Sequence, residues 1–215
     1  MNLPIFPAAP TLSTAELAHC LLSPRVRCVV NFALGPEGTN IAQAAELWAR
    51  KKGIYRKVTT KLCQTPEESL TKARLVLEAG TLPLFWTCAV YYKLHRFFFG
   101  NPDVFPFLFS YNMPLDAMQL CVRAELRGQE IASGWRIASH ASPAPLIADL
   151  PNLMVEADSN AHAAIKCATG QTEMCITTAQ AAELHKLYTL HKFGSPIMVF
   201  FGGTTRHGLN VLLGK

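Results

Sequence analysis

Three short turns place hydroxyl, amide or glycine residues directly before a predicted helix. They are Gly35-Pro36-Glu37-Gly38-Thr39-Asn40, Asp158-Ser159-Asn160 and Thr177-Thr178. A helix N-terminus offers unpaired backbone N–H groups and the positive end of the helix dipole, so each turn suits a small anion. If the turns converge, they predict a site for a small molecule with two or three carboxylates. Alternatively, they are ordinary helix caps, and the first turn lacks the lysine of a P-loop.

Alternating strand and helix patterns must position these turns. Strand patterns occupy residues 28–34, 84–90, 136–139, 153–157, 174–177 and 197–201. Helical patterns occupy residues 40–52, 65–78, 161–169 and 179–187. In the first of these helices, Ile41, Ala44, Ala45 and Trp48 follow the spacing of one apolar face. Residues 118–126 are compatible with either type. The alternation predicts an α/β protein with largely parallel sheets.

Composition narrows the class of protein. Half of the residues are hydrophobic and 16% are charged, which predicts a folded chain with a sizeable core. The net charge is +5, but the basic cluster at residues 50–57 lies at a predicted helix end, where cations complement the helix dipole. Nucleic-acid binding is therefore disfavoured, whereas a positive field would still attract an anionic metabolite.

Cysteine and histidine spacing gives no sign of a bound metal. The seven cysteines contain no CxxC pair and the seven histidines no HExxH motif, so we expect buried free thiols, no metal and no cofactor. The N-terminus has no basic region of a signal peptide, and no apolar stretch is long enough to span a bilayer. We therefore expect a cytoplasmic protein with no membrane partner.

The glycine turn at residues 35–39 resembles the Gly-Pro-x-Gly-Thr motif that opens prephenate dehydratase catalytic domains. The chain is more similar to a divergent branch of that family, the prephenate decarboxylases of bacilysin-type and aeruginosin-type biosynthesis. The matching segments are residues 35–40, 88–91, 94–95, 111–113, 139–140, 159–161, 175–178 and 181–183. The resemblance covers roughly residues 28–202.

This resemblance implies a two-lobed α/β fold of the type II periplasmic-binding-protein kind, with the active site in the interlobe cleft. Residues 1–24 would form an N-terminal arm and helix, residues 25–202 the catalytic domain, and residues 203–215 a C-terminal tail. Lobe 1 would comprise about residues 25–105 plus 190–202, and lobe 2 about residues 106–189.

The chain departs from the dehydratases at their Thr-Arg-Phe motif, in which the threonine is expected to act at the leaving hydroxyl. The corresponding strand reads Ser195-Pro196-Ile197-Met198-Val199-Phe200-Phe201 and has neither residue. A rival alignment uses Thr205-Arg206, followed by His207. We favour loss of the motif, because residues 193–194 and 196–198 resemble the decarboxylase ending. Residues 87–91 also replace the Glu-Ser segment of the dehydratases.

The implied reaction is decarboxylation of prephenate with retention of the ring hydroxyl. The product would be a dihydro-4-hydroxyphenylpyruvate-type keto acid that feeds an antibiotic or peptide pathway. Such an enzyme must deliver a proton to a ring carbon and offer no acid to the hydroxyl. Proton-donor candidates are His140 and His95, followed by Tyr111 and Glu37.

The implied substrate-binding residues fall into groups. Those expected to hold the pyruvyl carboxylate are Thr39, Asn40, Ser159, Asn160, Thr177 and Thr178. Those expected near the ring carboxylate are Cys88, Tyr91 and Met113. The other candidates are Gly38, Arg96, Asn112 and Ser139. Two alternative interpretations stay open. His95 is either a site residue or a hydrogen-bonded core histidine, and Arg96 either neutralises a carboxylate or forms an ion pair on the surface.

Two other functions stay open. The chain could be a prephenate dehydratase that forms phenylpyruvate with Thr205 and Arg206, or a non-catalytic module that binds a small dicarboxylate. In all three cases we expect a small-molecule partner, with prephenate as the substrate of the enzyme readings. We expect no nucleic-acid partner, and a homodimer is a candidate assembly.

Overall fold

A computed structural model describes residues 12–35, 39–102 and 108–215. In these ranges the helices are α1 (Thr14–Leu22), α2 (Asn40–Lys51), α3 (Pro66–Arg74), α4 (Leu94–Phe99), α5 (Asn160–Ala168), α6 (Ala179–Leu184) and α7 (Arg206–Leu213). The strands are β1 (Cys28–Leu34), β2 (Val58–Cys63), β3 (Thr81–Cys88), β4 (Leu108–Pro114), β5 (Met118–Val122), β6 (Arg136–Ser139), β7 (Leu153–Glu156), β8 (Met174–Thr178), β9 (Tyr188–Gly194) and β10 (Ile197–Gly203).

The described chain divides into two compact units. The first contains the described residues up to Met113 together with Met198–Lys215, and the second contains Pro114–Ile197. The boundaries predicted from the sequence lie near residues 105 and 190. Each unit has its own five-stranded sheet, so the α/β class is confirmed.

The first unit is built on a sheet of order β2-β1-β3-β10-β4. Strand β1 is parallel to β2 and β3, whereas β10 is antiparallel to β3. Helix α2 buries the predicted apolar face of Ile41, Ala44, Ala45 and Trp48, and the Trp48 ring stacks on Phe109 of β4 at a centroid distance of 4.6 Å. These aromatic contacts hold the helix on the sheet.

The second unit repeats this pattern with a sheet of order β7-β6-β8-β5-β9. Strand β6 is parallel to β7 and β8, and β5 is antiparallel to both β8 and β9. The core of this unit includes Met118, Ile137, Met174 and Ile176, with Phe193 packed against it. Both sheets also contain antiparallel pairs, so they are mixed. The expectation of largely parallel sheets overestimated the parallel part.

Most of the predicted elements are confirmed, and the differences are local. The β1 and β6 patterns match their strands in full. Residues 118–126 form strand β5 followed by a 3₁₀ turn at Ala124–Leu126. The helix expected over residues 65–78 ends at Arg74. The expected tail at residues 203–215 contains helix α7, which Gly214 ends in a left-handed conformation.

The cysteines are all free: Cys63, Cys121, Cys167 and Cys175 are buried, and Cys20, Cys28 and Cys88 are half-buried. Burial raises the pKa of the Cys121 thiol to about 11. Among the described residues, no helix has the length and apolarity needed to cross a membrane.

Candidate functional site

The second unit brings several predicted site residues to one edge of its sheet. Ser139 ends β6 and His140 follows it, Ser159 and Asn160 follow β7, and Thr177 and Thr178 end β8. Because β6 is parallel to β7 and β8, the carboxyl ends of these strands lie side by side. We call these six residues the polar edge.

Hydrogen bonds connect the strands at the polar edge. The buried Thr177 hydroxyl donates to the backbone carbonyl of Asn160 at 2.8 Å, which joins the end of β8 to the start of α5. The Ala157 amide donates to the carbonyl of Ser139 at 2.9 Å. The Ser139 hydroxyl donates to the carbonyl of His140. Thr177 and Ser139 therefore shape the edge, rather than presenting their hydroxyls as free donors.

The two helix starts at the polar edge are capped by their own side chains. Ser159 accepts a hydrogen bond from the His162 amide at 3.0 Å, and Thr178 accepts one from the Ala181 amide at 3.2 Å. These are the ordinary caps that the sequence analysis held as the alternative.

An internal carboxylate occupies the start of α6. Asp116 accepts hydrogen bonds from the Gln180 amide at 2.8 Å and from the Ala117 amide at 2.9 Å. Its negative charge sits where a substrate carboxylate was expected to bind beside Thr177 and Thr178. This carboxylate disfavours the predicted binding of an anion at the start of α6. Asp116 was not predicted from the sequence, because it lies more than sixty residues before the helix that it caps.

His140 is half-buried, and its ring is oriented by the loop that follows β6. The Ser142 amide donates to its Nδ1 at 3.3 Å. This contact corresponds to the neutral ring with its proton on Nε2. An imidazolium that delivers a proton carries hydrogen on both nitrogens, so the Ser142 contact would have to open when His140 acts as an acid.

Asn160 has a partly unsatisfied side-chain amide. Its Nδ2 lies 3.9 Å from the sulfur of Met118, and its buried Oδ1 has no hydrogen-bond partner. Met118 also lines a pocket of about 180 Å³ in the second unit. The described lining residues are Met118, Leu146, Phe193, Gly194, Ser195 and Pro196. This pocket was not predicted, since its residues come from three separate segments of the chain.

The first unit gathers other predicted residues at the carboxyl ends of β1, β2 and β3. Thr39 caps α2, accepting from the Ala42 amide at 3.4 Å and donating to the carbonyl of Leu34. Asn40 is half-buried at the first position of the helix. A β-carbon on Gly35 would lie 3.0 Å from that of Leu62, which explains glycine at this position. Glu37 and Gly38 lie outside the described residues.

Cys88 is the last residue of β3, and Tyr91 lies three residues beyond it. The Tyr91 hydroxyl donates to Glu67 Oε1 at 2.6 Å. Burial, assisted by this hydrogen bond, raises the pKa of Tyr91 above its ordinary value. Burial likewise raises the pKa of the Cys88 thiol, which disfavours the nucleophilic thiolate. The contact of Glu67 with Tyr91 was not predicted from the sequence.

The remaining candidates in the first unit are more dispersed. His95 and Arg96 are exposed on the short helix α4, so the reading of His95 as a core histidine is wrong. On β4, Met113 is buried and Asn112 is exposed. Tyr111 is half-buried, with the Lys51 ammonium 5.8 Å from its ring centroid.

The rival Thr205–Arg206 pair lies at the opposite end of β3 from Cys88. Strand β10 is antiparallel to β3 and pairs Phe200 with Cys88 and Gly203 with Phe85. Beyond it, the Thr204 hydroxyl donates to the carbonyl of Pro83. From Pro83 to Cys88 is about 16 Å along an extended strand.

The side chains of this pair have local roles. The buried Thr205 hydroxyl caps α7 by accepting from the Gly208 amide at 3.2 Å. Arg206 is exposed at the first position of the same helix. Thr205 is therefore a helix cap, remote from the end of β3 that carries Cys88 and Tyr91. In the described ranges, no cluster of three or more His, Cys, Asp or Glu residues could hold a metal ion.

Comparison with known proteins identifies the fold but no family. No protein-family model matches the chain, and no curated protein matches it. Its structure is similar to the periplasmic VFT2 domain of BvgS from Bordetella pertussis, with a TM-score of 0.52 and 16% identity over 96% of this chain and 94% of that one. It is also similar to a protein described as a methionine-binding lipoprotein from Bacillus subtilis, with a TM-score of 0.52 and 10% identity over 89% and 90% of the two chains.

A prephenate dehydratase from Staphylococcus aureus is a weaker match. Its TM-score is 0.44 with 13% identity, over 82% of this chain and 66% of that one. A value this low supports neither a shared fold nor a shared activity. The chain spans 64% of a matched quorum-quenching acylase and 42% of the larger BvgS periplasmic domain. The matches with TM-scores above 0.5 show that this chain has the α/β fold of periplasmic binding-type domains.

Proposed function

We propose that this protein decarboxylates prephenate and leaves the hydroxyl on the ring. The choice of prephenate as the substrate rests on the motif resemblance at the glycine turn, at residues 88–91 and at the polar edge. The position of Thr205 supports the choice of reaction. This threonine caps α7, and the preceding residue, Thr204, bonds to Pro83, which is about 16 Å along β3 from Cys88. A dehydratase needs an acid at the departing hydroxyl, and Thr205 and Arg206 are badly placed to assist one.

The proposed step breaks the bond between the ring and its carboxylate. Carbon dioxide leaves, and the electron pair of the broken bond enters the diene system of the ring. One proton then adds to a ring carbon, so the prephenate dianion and a proton give a monoanionic keto acid and carbon dioxide. The hydroxyl stays because no proton reaches its oxygen. His140 is the proposed proton donor, through opening of its contact with Ser142.

In the second unit, the start of α5 is the proposed partner of a substrate carboxylate. Asp116 already holds the start of α6, so a second anion there would meet its negative charge. The start of α5 carries Ser159 and the Asn160 amide, and its cap is fixed to β8 through Thr177. This assigns Thr177 a positioning role instead of direct contact with the substrate.

Incubating the purified protein with prephenate and identifying the product by NMR tests the proposal. The expected product keeps the hydroxyl-bearing carbon and has vinylic rather than aromatic ring protons, with one equivalent of carbon dioxide released. Because prephenate aromatises spontaneously in acid, a protein-free sample at the same pH is the control. Enzyme-dependent phenylpyruvate would instead identify a dehydratase.

The fold matches favour a second candidate, a module that binds a small molecule without converting it. Two similar structures are a VFT2 domain and a protein described as methionine-binding. The same NMR sample distinguishes this candidate. Calorimetric binding of prephenate with no release of carbon dioxide would support the binding module and contradict the lyase.

A further inference from the structure

We propose that the pocket in the second unit holds the six-membered ring of the substrate, and we call it the ring pocket. It is defined by Met118, Leu146, Phe193, Gly194, Ser195 and Pro196. The inference rests on the proposed function, because it assigns a ring subsite to the same substrate. None of these residues was predicted as a site residue from the sequence.

The volume of the ring pocket suits one carbocycle. Its volume of about 180 Å³ is close to that of an engineered apolar cavity of roughly 150 Å³ that binds benzene in another protein. A single six-membered ring therefore fits it by volume, although the pocket is open to solvent on the side of Leu146, Ser195 and Pro196. Larger ligand sites, of roughly 300 Å³ and more, hold drug-sized molecules, so the rest of a longer substrate must extend out of the pocket.

The lining of the ring pocket suits an unsaturated ring. Met118 provides a polarizable thioether and Phe193 an aromatic ring, both of which pack favourably on π systems. Leu146 and Pro196 add aliphatic surface. Among its described lining residues, none has a side chain that is acidic near neutral pH. A ring alcohol placed there would meet no donor able to expel it as water, which accounts physically for a retained hydroxyl.

The pocket is held by the elements that form the polar edge. Met118 pairs with Thr178 of β8 and with Gly194 of β9, and its sulfur lies 3.9 Å from the Asn160 amide. Leu146 lies in a 3₁₀ turn six residues after His140. A ring in the pocket would thus lie close to the start of α5. The pyruvyl side chain of the substrate would then be able to reach the proposed carboxylate partner there.

Filling the pocket with a larger side chain tests the inference. Leu146 is 45% exposed, so Leu146→Trp adds an indole at the pocket without overfilling the buried core. The probe is phenylpyruvate, a ring keto acid that this reaction cannot convert. We expect its affinity, measured by NMR titration, to fall at least about tenfold, a loss that corresponds to about 1.4 kcal/mol. The KM for prephenate should rise by a similar factor.

Leu153→Trp is the matched control. Leu153 is 68% exposed at the start of β7, the opposite end of that strand from the polar edge, so phenylpyruvate binding should be unchanged. Circular dichroism checks that each variant folds. If Leu146→Trp does not fold, Ser195→Leu replaces it, because Ser195 is an exposed residue of the pocket lining.

The outcomes separate the ring pocket from the proposed reaction. Loss of phenylpyruvate binding in the filled variant supports the pocket, even if the wild-type protein fails to convert prephenate. Prephenate turnover with an unchanged KM in that variant would overturn the pocket and leave the reaction standing. Failure of phenylpyruvate to bind the wild-type protein would also overturn the pocket.

Discussion

The hydroxyl of Thr177 donates a 2.8 Å hydrogen bond to the backbone carbonyl of Asn160. The two residues are seventeen positions apart, and the bond fixes the first turn of α5 against the end of β8. The orientation of the Ser159 cap and of the Asn160 amide depends on this contact. Thr177 is fully buried, so it acts on a ligand through these neighbours.

Thr177→Val should therefore weaken both folding and ligand binding. The substitution keeps the shape of the side chain but removes the hydrogen bond to the Asn160 carbonyl, which costs about 0.5–1.5 kcal/mol of unfolding free energy. Urea unfolding measures that loss. We also expect the affinity for prephenate, measured by calorimetry, to fall several-fold as the start of α5 shifts.

Thr172→Val is the matched control for this variant. Thr172 is also fully buried, and its hydroxyl donates to the carbonyl of Met174 at 2.9 Å, at the opposite end of β8. A comparable loss of stability with unchanged affinity is expected. If both variants lose affinity equally, Thr177 has no special role at the polar edge.

Thr205→Ala should change stability but not the identity of the product. Removing the N-cap of α7 costs about 0.5–2 kcal/mol, which thermal unfolding will detect. Arg206→Ala should have little effect on either property, because Arg206 is exposed. NMR of the product from prephenate is the test for both variants. A folded Thr205→Ala variant with turnover reduced a hundredfold would instead support the alignment of Thr205 and Arg206 with the dehydratase motif.

His140→Ala should lower turnover at least about tenfold with the fold retained, since general acid catalysis commonly contributes that much or more. His140→Gln keeps a polar side chain but cannot deliver a proton, so it should be equally slow. Steady-state assays of carbon dioxide release provide the measurement. His19→Ala, at an exposed position in α1, serves as control. Wild-type turnover in the glutamine variant would remove His140 from the mechanism.

Tyr91 should make the stability of the protein pH-dependent in alkaline solution. Burial and the Glu67 hydrogen bond raise its pKa in the folded protein, so folding favours the neutral phenol. This contribution is complete below the unfolded value of about 10 and is lost as the pH rises through the folded value. Denaturant unfolding across this range should show a steeper alkaline loss in the wild type than in Tyr91→Phe.

Ultraviolet titration of tyrosinate gives an independent check on Tyr91. The difference between wild type and Tyr91→Phe should titrate above the ordinary tyrosine range. Tyr92→Phe, which removes a neighbouring hydroxyl on a residue that is 74% exposed, controls for the loss of one chromophore. Parallel alkaline stability curves for wild type and Tyr91→Phe would contradict the prediction.

The sequence predicted those parts of the fold that depend on short-range patterns. The buried run at residues 28–34 and the apolar face of α2 are visible because hydrophobic periodicity is local. Strand β9 was not predicted, since all of its residues are exposed or half-buried and it lies at the edge of its sheet. Helix α7 escaped because it follows directly from β10, where Thr205 suggested a catalytic motif instead of a cap.

The candidate site was predicted in its residue types more than in its contacts. Ser159 and Thr178 were recognised as residues at helix starts, which is a local property. Asp116 at the start of α6 and Glu67 beside Tyr91 depend on distant segments meeting in space, and spacing along the chain does not encode such meetings. The ring pocket is of the same kind, since Leu146 and Phe193 are far apart in sequence.

The position of β10 has a consequence for synthesis of the protein. This strand lies between β3 and β4, yet it follows all the strands of the second unit along the chain. The first sheet therefore cannot close until β10 has been synthesised, and β3 has an unpaired edge until then. During that time the edge is open to pairing with another chain. Nascent chains are thus expected to need protection for longer in the first unit than in the second, whose strands all precede residue 195.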